Sequence, residues 1–157
     1  MDLVAGDARE IMLAIGIDDW AGLRDRGRFS GYLSLGGGMD PSWLDLFARA
    51  VREVAGSVAP GPFSEACSPL ESLSERRMAR LGERTVERVD RHWIDDVAVL
   101  PGELLDRVAA RWIDLVEAYE CHVEAEEKPV FRQICGDLAD FCRRAGEAED
   151  VLFAWSI

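Results

Sequence analysis

Between residues 105 and 119 the apolar side chains Leu105, Val108, Trp112, Leu115 and Tyr119 recur every three or four positions, while Arg107, Arg111 and Asp114 fall outside that series. A helix places such a series on one side, because residues three and four apart lie above one another on its surface. Glu103 stands four residues before Arg107, the order that favours an ion pair along a helix. The same spacing returns at Ala8, Ile11, Met12 and Ile15, and again at Trp43, Phe47, Ala50, Val51 and Val54. It recurs at Leu70, Leu73, Met78 and Leu81, then at Val86, Val89, Trp93, Ile94 and Val97, and last at Val130, Ile134, Leu138, Phe141 and Ala145. Punctuation agrees. Asp18 or Asp19 offers an N-cap before Trp20, and Asp40-Pro41 joins a capping acid to a proline that needs no amide partner. Ser68-Pro69-Leu70-Glu71 reads as a capping box. Gly56, Pro101-Gly102 and Gly146 mark stops.

Two segments have a different period. Phe29, Leu33 and Leu35 alternate with Ser30, Tyr32 and Ser34, which is the pattern of a half-buried strand over 29–35. Val151-Leu152-Phe153-Ala154-Trp155 is continuously apolar, the pattern of a strand over 151–156 buried on both faces. A third short strand over 63–67 fits Phe63 to Cys67. Neither main strand buries its apolar face alone. The expected fold is therefore α+β and mostly helical: five or six helices packed on a small sheet of two or three short strands, with 29–35 paired to 151–156. A chain of 157 residues with no repeat and no long linker fits one domain, 1–157.

Charge restricts the partners. Thirty acids against 18 bases give a net charge of −12, which repels nucleic-acid phosphates and anionic membrane surfaces. No apolar run is long enough to span a bilayer, and Met1 to Asp7 has no basic n-region, so no secretion signal is expected. Lys128 is the one Lys among the 18 bases, a bias that fits GC-rich bacterial coding. None of Cys67, Cys121, Cys135 and Cys142 forms a C-x-x-C pair. Cys135 and Cys142 lie about 10 Å apart along a helix, too far for a disulfide, so free thiols in a reducing cytoplasm are expected.

Each candidate site has two readings. Gly36, Gly37 and Gly38, ahead of Asp40, link a strand to a helix N-terminus, an arrangement that cradles anions. Yet neither phosphate-loop pattern is present, and Asp40 sets a carboxylate where a phosphate would sit. The ordinary role is a tight connection that needs positive φ. His92 with Asp96 and His122 with Glu126 are i,i+4 pairs that two helices would turn into a four-ligand metal site. The ordinary role is two exposed histidines. No nucleophile motif occurs, and paired carboxylates on so acidic a chain identify nothing. Arg76, Arg80, Arg84 and Arg88 recur every four residues. Asp114, Glu117, Glu120, Glu124, Glu126 and Glu127 crowd a stretch without Arg or Lys. These are either solvated faces or docking faces.

Three functions follow in order of expectation. The first is a non-enzymatic, acidic inhibitor or immunity-type protein that binds a basic partner protein through Glu117, Glu120, Glu124 and Glu127, without a cofactor. The second is a small-molecule-binding or enzymatic domain with its site near Gly36 to Asp40. The third is a helical metal protein using His92 and His122.

Overall fold

In a computed structural model, residues 1–36, 39–56, 59–70, 84–119 and 122–156 are described here. The chain forms two compact units, and it passes from one to the other several times.

The sheet unit comprises Met1–Met39, Cys67–Arg91 and Arg144–Ile157. Its strands are β1 (Asp2–Gly6), β2 (Gly31–Ser34), β3 (Cys67–Pro69), β4 (Arg84–Val89) and β5 (Asp150–Ser156). They form one antiparallel sheet in the order β2-β1-β5-β4-β3. The apolar run at the C-terminal end of the chain holds the centre of that sheet, and Val151, Leu152, Phe153 and Ala154 are all buried, as their continuous apolarity requires. The neighbours of β5, β1 and β4, are both antiparallel to it.

The expected pairing of 29–35 with 151–156 is corrected. β1 lies between them, matching Leu3 to Leu33 on one side and to Phe153 on the other. Its buried triplet Leu3-Val4-Ala5 was the available signal. Three further readings change. Phe63–Ala66 is one helical turn rather than a strand. Ser68 and Pro69 belong to β3, so Pro69 is a strand residue and not a first helical position; Glu71 and the helical series through Leu73, Met78 and Leu81 lie outside the described residues. Val86 and Val89 sit on β4, three apart in a strand and hence on opposite faces, and not on a helical stripe. Arg84 and Arg88 are likewise strand residues, so their four-residue spacing makes no helical face there, while Arg76, Arg77 and Arg80 are not described.

Two helices belong wholly to the sheet unit. α1 (Ala8–Gly16) is capped by Asp7, whose carboxylate accepts the Glu10 amide at 2.9 Å. Its stripe of Ala8, Ile11, Met12 and Ile15 is buried as read, in one cluster with Val4, Phe29, Leu70, Val86, Leu152 and Ala154. α2 (Trp20–Leu23) starts at Asp19, which accepts the Gly22 amide at 2.8 Å. On β2, the Tyr32 hydroxyl donates to Asp2 Oδ1 at 2.6 Å. Burial, then that bond, raises the Tyr32 pKa. Arg88 Nε lies 2.8 Å from Asp150 Oδ1, an ion pair without hydrogen-bond alignment.

The helical unit comprises Asp40–Ala66 and His92–Arg143. It holds α3 (Ser42–Ala55), α4 (Phe63–Ala66), most of α5 (Arg91–Ala98), a 3₁₀ turn (Gly102–Leu104), α6 (Leu105–Tyr119) and most of α7 (Lys128–Ala145). With α1 and α2 this makes seven α-helices among the described residues, against the five or six expected, and five strands against two or three. The class, α+β and mostly helical, holds.

α3 begins one residue later than read. Pro41 occupies the cap position, and the Asp40 carboxylate accepts the Ser42 amide at 2.8 Å; the Ser42 side chain first, then that amide, holds the carboxyl below its usual range. Gly56, at φ +82°, ends the helix with its amide on Arg52 O, in a conformation that β-carbons resist. α3 packs along α6. Between them and α7 lies an aromatic core in which Trp112 is fully buried and its indole N–H donates to Trp43 O at 2.8 Å. Trp93 donates likewise to Gly61 O at 3.2 Å, so each buried indole finds the partner it needs.

Candidate functional site

The carboxylate-rich segment is built where α6 ends and α7 begins. The apolar stripe of α6 runs through Val108, Trp112, Leu115 and Val116 and is buried throughout. Tyr119, assigned to that stripe by spacing, is instead 68% exposed. On α7, Leu138, Phe141 and Ala145 are buried as read, but in the first turns the buried side is shifted by one residue. Phe131 and Cys135 are buried, with Cys142 further on, while Ile134 is half-buried and Val130 is 53% exposed. Phe131 takes the place expected of Val130 because its ring stacks on Trp43 at 5.5 Å and meets Trp112 edge-on at 5.0 Å. Counting Cys135 and Cys142 as apolar residues would have fixed that phase.

The connection between the two helices is held from within. Val123 is buried. The amide of Glu124 donates to Glu127 Oε2 at 3.0 Å, and the amide of Glu127 returns to Glu124 O at 2.9 Å. Lys128 Nζ lies 2.8 Å from Glu117 Oε1 and closes the loop. That contact holds the Glu117 carboxyl below its usual range. Glu117 and Glu127 thus have structural partners. Glu124 and Glu126 are exposed, and no cation among the described residues pairs with either carboxylate. Asp114, also exposed, lies 3.8 Å from Arg111. Glu120 and Cys121 lie outside the described residues.

A second feature lies on α3. Ser42, Asp45, Leu46, Arg49 and Arg52, with Pro62 and Tyr119, line an open cleft of about 390 Å³. Asp45 accepts from the Ser64 amide at 2.8 Å and from the Ser64 hydroxyl at 2.9 Å. Arg49 donates to Glu53 at 2.9 Å, and Glu53 also accepts from Arg111. Those two guanidiniums, Arg111 first, hold the Glu53 carboxyl below its usual range. Arg52 donates to Pro60 O at 3.3 Å. The cleft was not legible as a site, because Arg49 and Arg52 read as ordinary polar residues opposite the apolar stripe of a surface helix.

The other sequence candidates are placed as follows. Gly36 adopts φ +82°, the conformation that a tight connection requires; Gly37 and Gly38 lie outside the described residues. His92 and Asp96 sit on α5, with His92 exposed. His122 and Glu126 sit in the loop before α7, off any helix, so their four-residue spacing puts them on no helical face. Among the described residues no three His, Cys, Asp or Glu side chains converge as metal ligands. Cys135 and Cys142 are free, buried thiols. Burial pushes the Cys135 thiol up to about 12 and raises that of Cys142 as well, which suits packing rather than nucleophilic chemistry. No described helix is long and apolar enough to cross a membrane.

Comparison with protein-family models, with curated protein sequences and with solved structures returns no match.

Proposed function

We propose that the chain is a binding protein that covers a basic partner protein, as an inhibitor or immunity protein does, using the end of α6, the following loop and the start of α7. One observation carries this reading. Tyr119 and Val130, which the helical spacing assigns to buried stripes, are both exposed, Tyr119 within the stretch 114–127 where acids concentrate without Arg or Lys and Val130 just past Lys128, which closes that stretch. Apolar side chains beside unpaired carboxylates match the make-up of protein interfaces, where aromatic residues anchor and charged rims steer. Glu124 and Glu126, whose carboxylates meet no cation among the described residues, supply that charge. Glu117 and Glu127, tied to Lys128 and to the Glu124 amide, shape the loop that presents it.

The test is affinity capture at low salt with wild-type protein and with the double variant E124K/E126K, and separately with Y119A. The expected result is a basic protein retained by the wild type and released as salt rises, since charges more than about 10 Å apart are screened at 0.1 M. The double variant loses that protein while keeping the wild-type melting temperature. Y119A weakens retention without changing its salt dependence. An identical set of captured proteins for wild type and E124K/E126K overturns the reading.

A further inference from the structure

We propose that the cleft on α3 binds a small organic monocarboxylate with a flat apolar body, held through Arg49 and Arg52. This goes beyond the partner reading and does not rest on it. Arg49 and Arg52 are three residues apart, so both side chains rise from one side of the helix. Neither is fully committed. The one acceptor that the described residues give Arg52 is the neutral carbonyl of Pro60, which orients the guanidinium and leaves its charge uncompensated. Arg49 shares the carboxylate of Glu53 with Arg111, which also lies 3.8 Å from Asp114, and the Glu53 contact engages Arg49 through Nε alone. A guanidinium carries five N–H donors in a planar fork. Both residues therefore keep donors for the oxygens of an incoming carboxylate, the geometry that Arg binds best.

The remaining walls select the rest of the ligand. Leu46 and Pro62 are apolar, and the exposed Tyr119 ring offers a face on which a planar body can lie. The volume, about 390 Å³, lies within the range of small-molecule sites, about 300–1,000 Å³. Asp45 marks the opposite end. It is one helical turn, roughly 6 Å of rise, before Arg49, and both its oxygens are fixed on Ser64. A second carboxylate on the ligand would meet that fixed negative charge, which is why a monocarboxylate fits and a dicarboxylate does not. In a chain of net charge −12 the distant field opposes any anion, so binding depends on these two local cations.

The experiment titrates the full chain with benzoate, benzamide and terephthalate, following backbone amides of α3 and the Nε–H signals of Arg49 and Arg52 by NMR. Benzoate is expected to shift them saturably. Benzamide, which lacks the charge, and terephthalate, which carries a second carboxylate, are each expected to bind at least about tenfold more weakly, and R52Q to lower benzoate affinity by at least about tenfold. R49Q, which leaves the Pro60 contact in place, is expected to do the same, and a wild-type melting temperature for either variant shows that folding is intact. Benzoate and benzamide binding alike, terephthalate binding as well as benzoate, no saturation with benzoate, or unchanged affinity in both folded variants overturns the proposal. E124K/E126K leaves every one of these side chains in place, so failure here and failure of the partner reading are separate results.

Discussion

The two units solve the same packing problem with different side chains. In the sheet unit one core cluster is largely aliphatic: Val4, Ile11, Met12, Ile15, Leu23, Leu70, Val86 and Leu152 pack with the ring of Phe29, while Phe153 is buried on β5 outside that cluster. In the helical unit the core is a chain of rings in contact: Phe63 on Trp93 at 4.9 Å, Trp93 with Phe47 at 6.4 Å, Phe47 on Trp112 at 5.4 Å, then Phe131 and Trp43. Aliphatic side chains pack by volume and carry no polar atom. The rings of Trp93 and Trp112 pack by shape and also donate to backbone carbonyls. Deleting an aliphatic side chain opens a hole, whereas deleting one of these rings opens a larger hole and removes the partner of a carbonyl.

This difference sets the largest expected effect. Trp112→Ala is expected to destabilise the helical unit by about 3–5 kcal/mol, because the side chain is fully buried and its N–H holds Trp43 O. Denaturant unfolding, with hydrogen exchange read at the amides of α3 and α6, measures it. A loss within about 0.5 kcal/mol would be that of a surface residue and would break the contrast at its strongest point. The matching change in the sheet unit is Leu152→Ala, at the centre of the central strand, where Leu152 is fully buried and pairs with Val4 and Arg88. Its expected cost is about 2–5 kcal/mol, at or below that of the Trp change, with the faster exchange at β1, β4 and β5. If Leu152→Ala costs clearly more than Trp112→Ala, ring contacts and indole bonds add little beyond volume, and the two cores are equivalent.

The same contrast explains what could be read in advance. Helices carry their evidence locally. The stripes of α1 and α3, that of α6 from Val108 to Leu115, and the cap at Asp19 follow from neighbours within one or two turns, and these appear in the structure. A sheet is assembled by residues far apart in sequence. Leu3 meets Leu33 and Phe153, and nothing near Leu3 announces either. β4 was misread because Val86, Val89 and Trp93 also fit a helical period, and a six-residue strand that runs into a helix offers too few positions to separate the two. At the candidate face, the acids were legible as composition. The exposure of Tyr119 and Val130 was not, because spacing predicts which residues share a side but not where the neighbouring helix stops covering it. The cleft was invisible for a related reason: Arg49 and Arg52 become a pair of interest only when Pro62 and Tyr119 come round to wall them in.

The smallest effect concerns pH and separates the units by sign. In the helical unit, Arg111 and then Arg49 hold Glu53 below its ordinary 4.5. Between the lowered folded value and 4.5 the unfolded chain binds more protons, so the contribution of Glu53 is complete above 4.5 and is lost as pH falls through the folded value. In the sheet unit Tyr32 is raised above its ordinary 10.0 by burial and by Asp2. Its contribution is complete below 10.0 and is lost as pH rises through the folded value. Glu53→Gln should therefore lower the melting temperature slightly near neutrality, with the difference from wild type closing as the solution is acidified below 4.5. Tyr32→Phe should show its difference closing on the alkaline side instead. Salt should shrink the Glu53 effect, because that pair is solvent-exposed and screened. A Glu53→Gln difference that stays constant from neutral to acid pH would mean that the two guanidiniums do not distinguish the charged from the neutral carboxyl. Arg49 would then not be held by Glu53, and the cation pair at the cleft would lose one of its two fixed members.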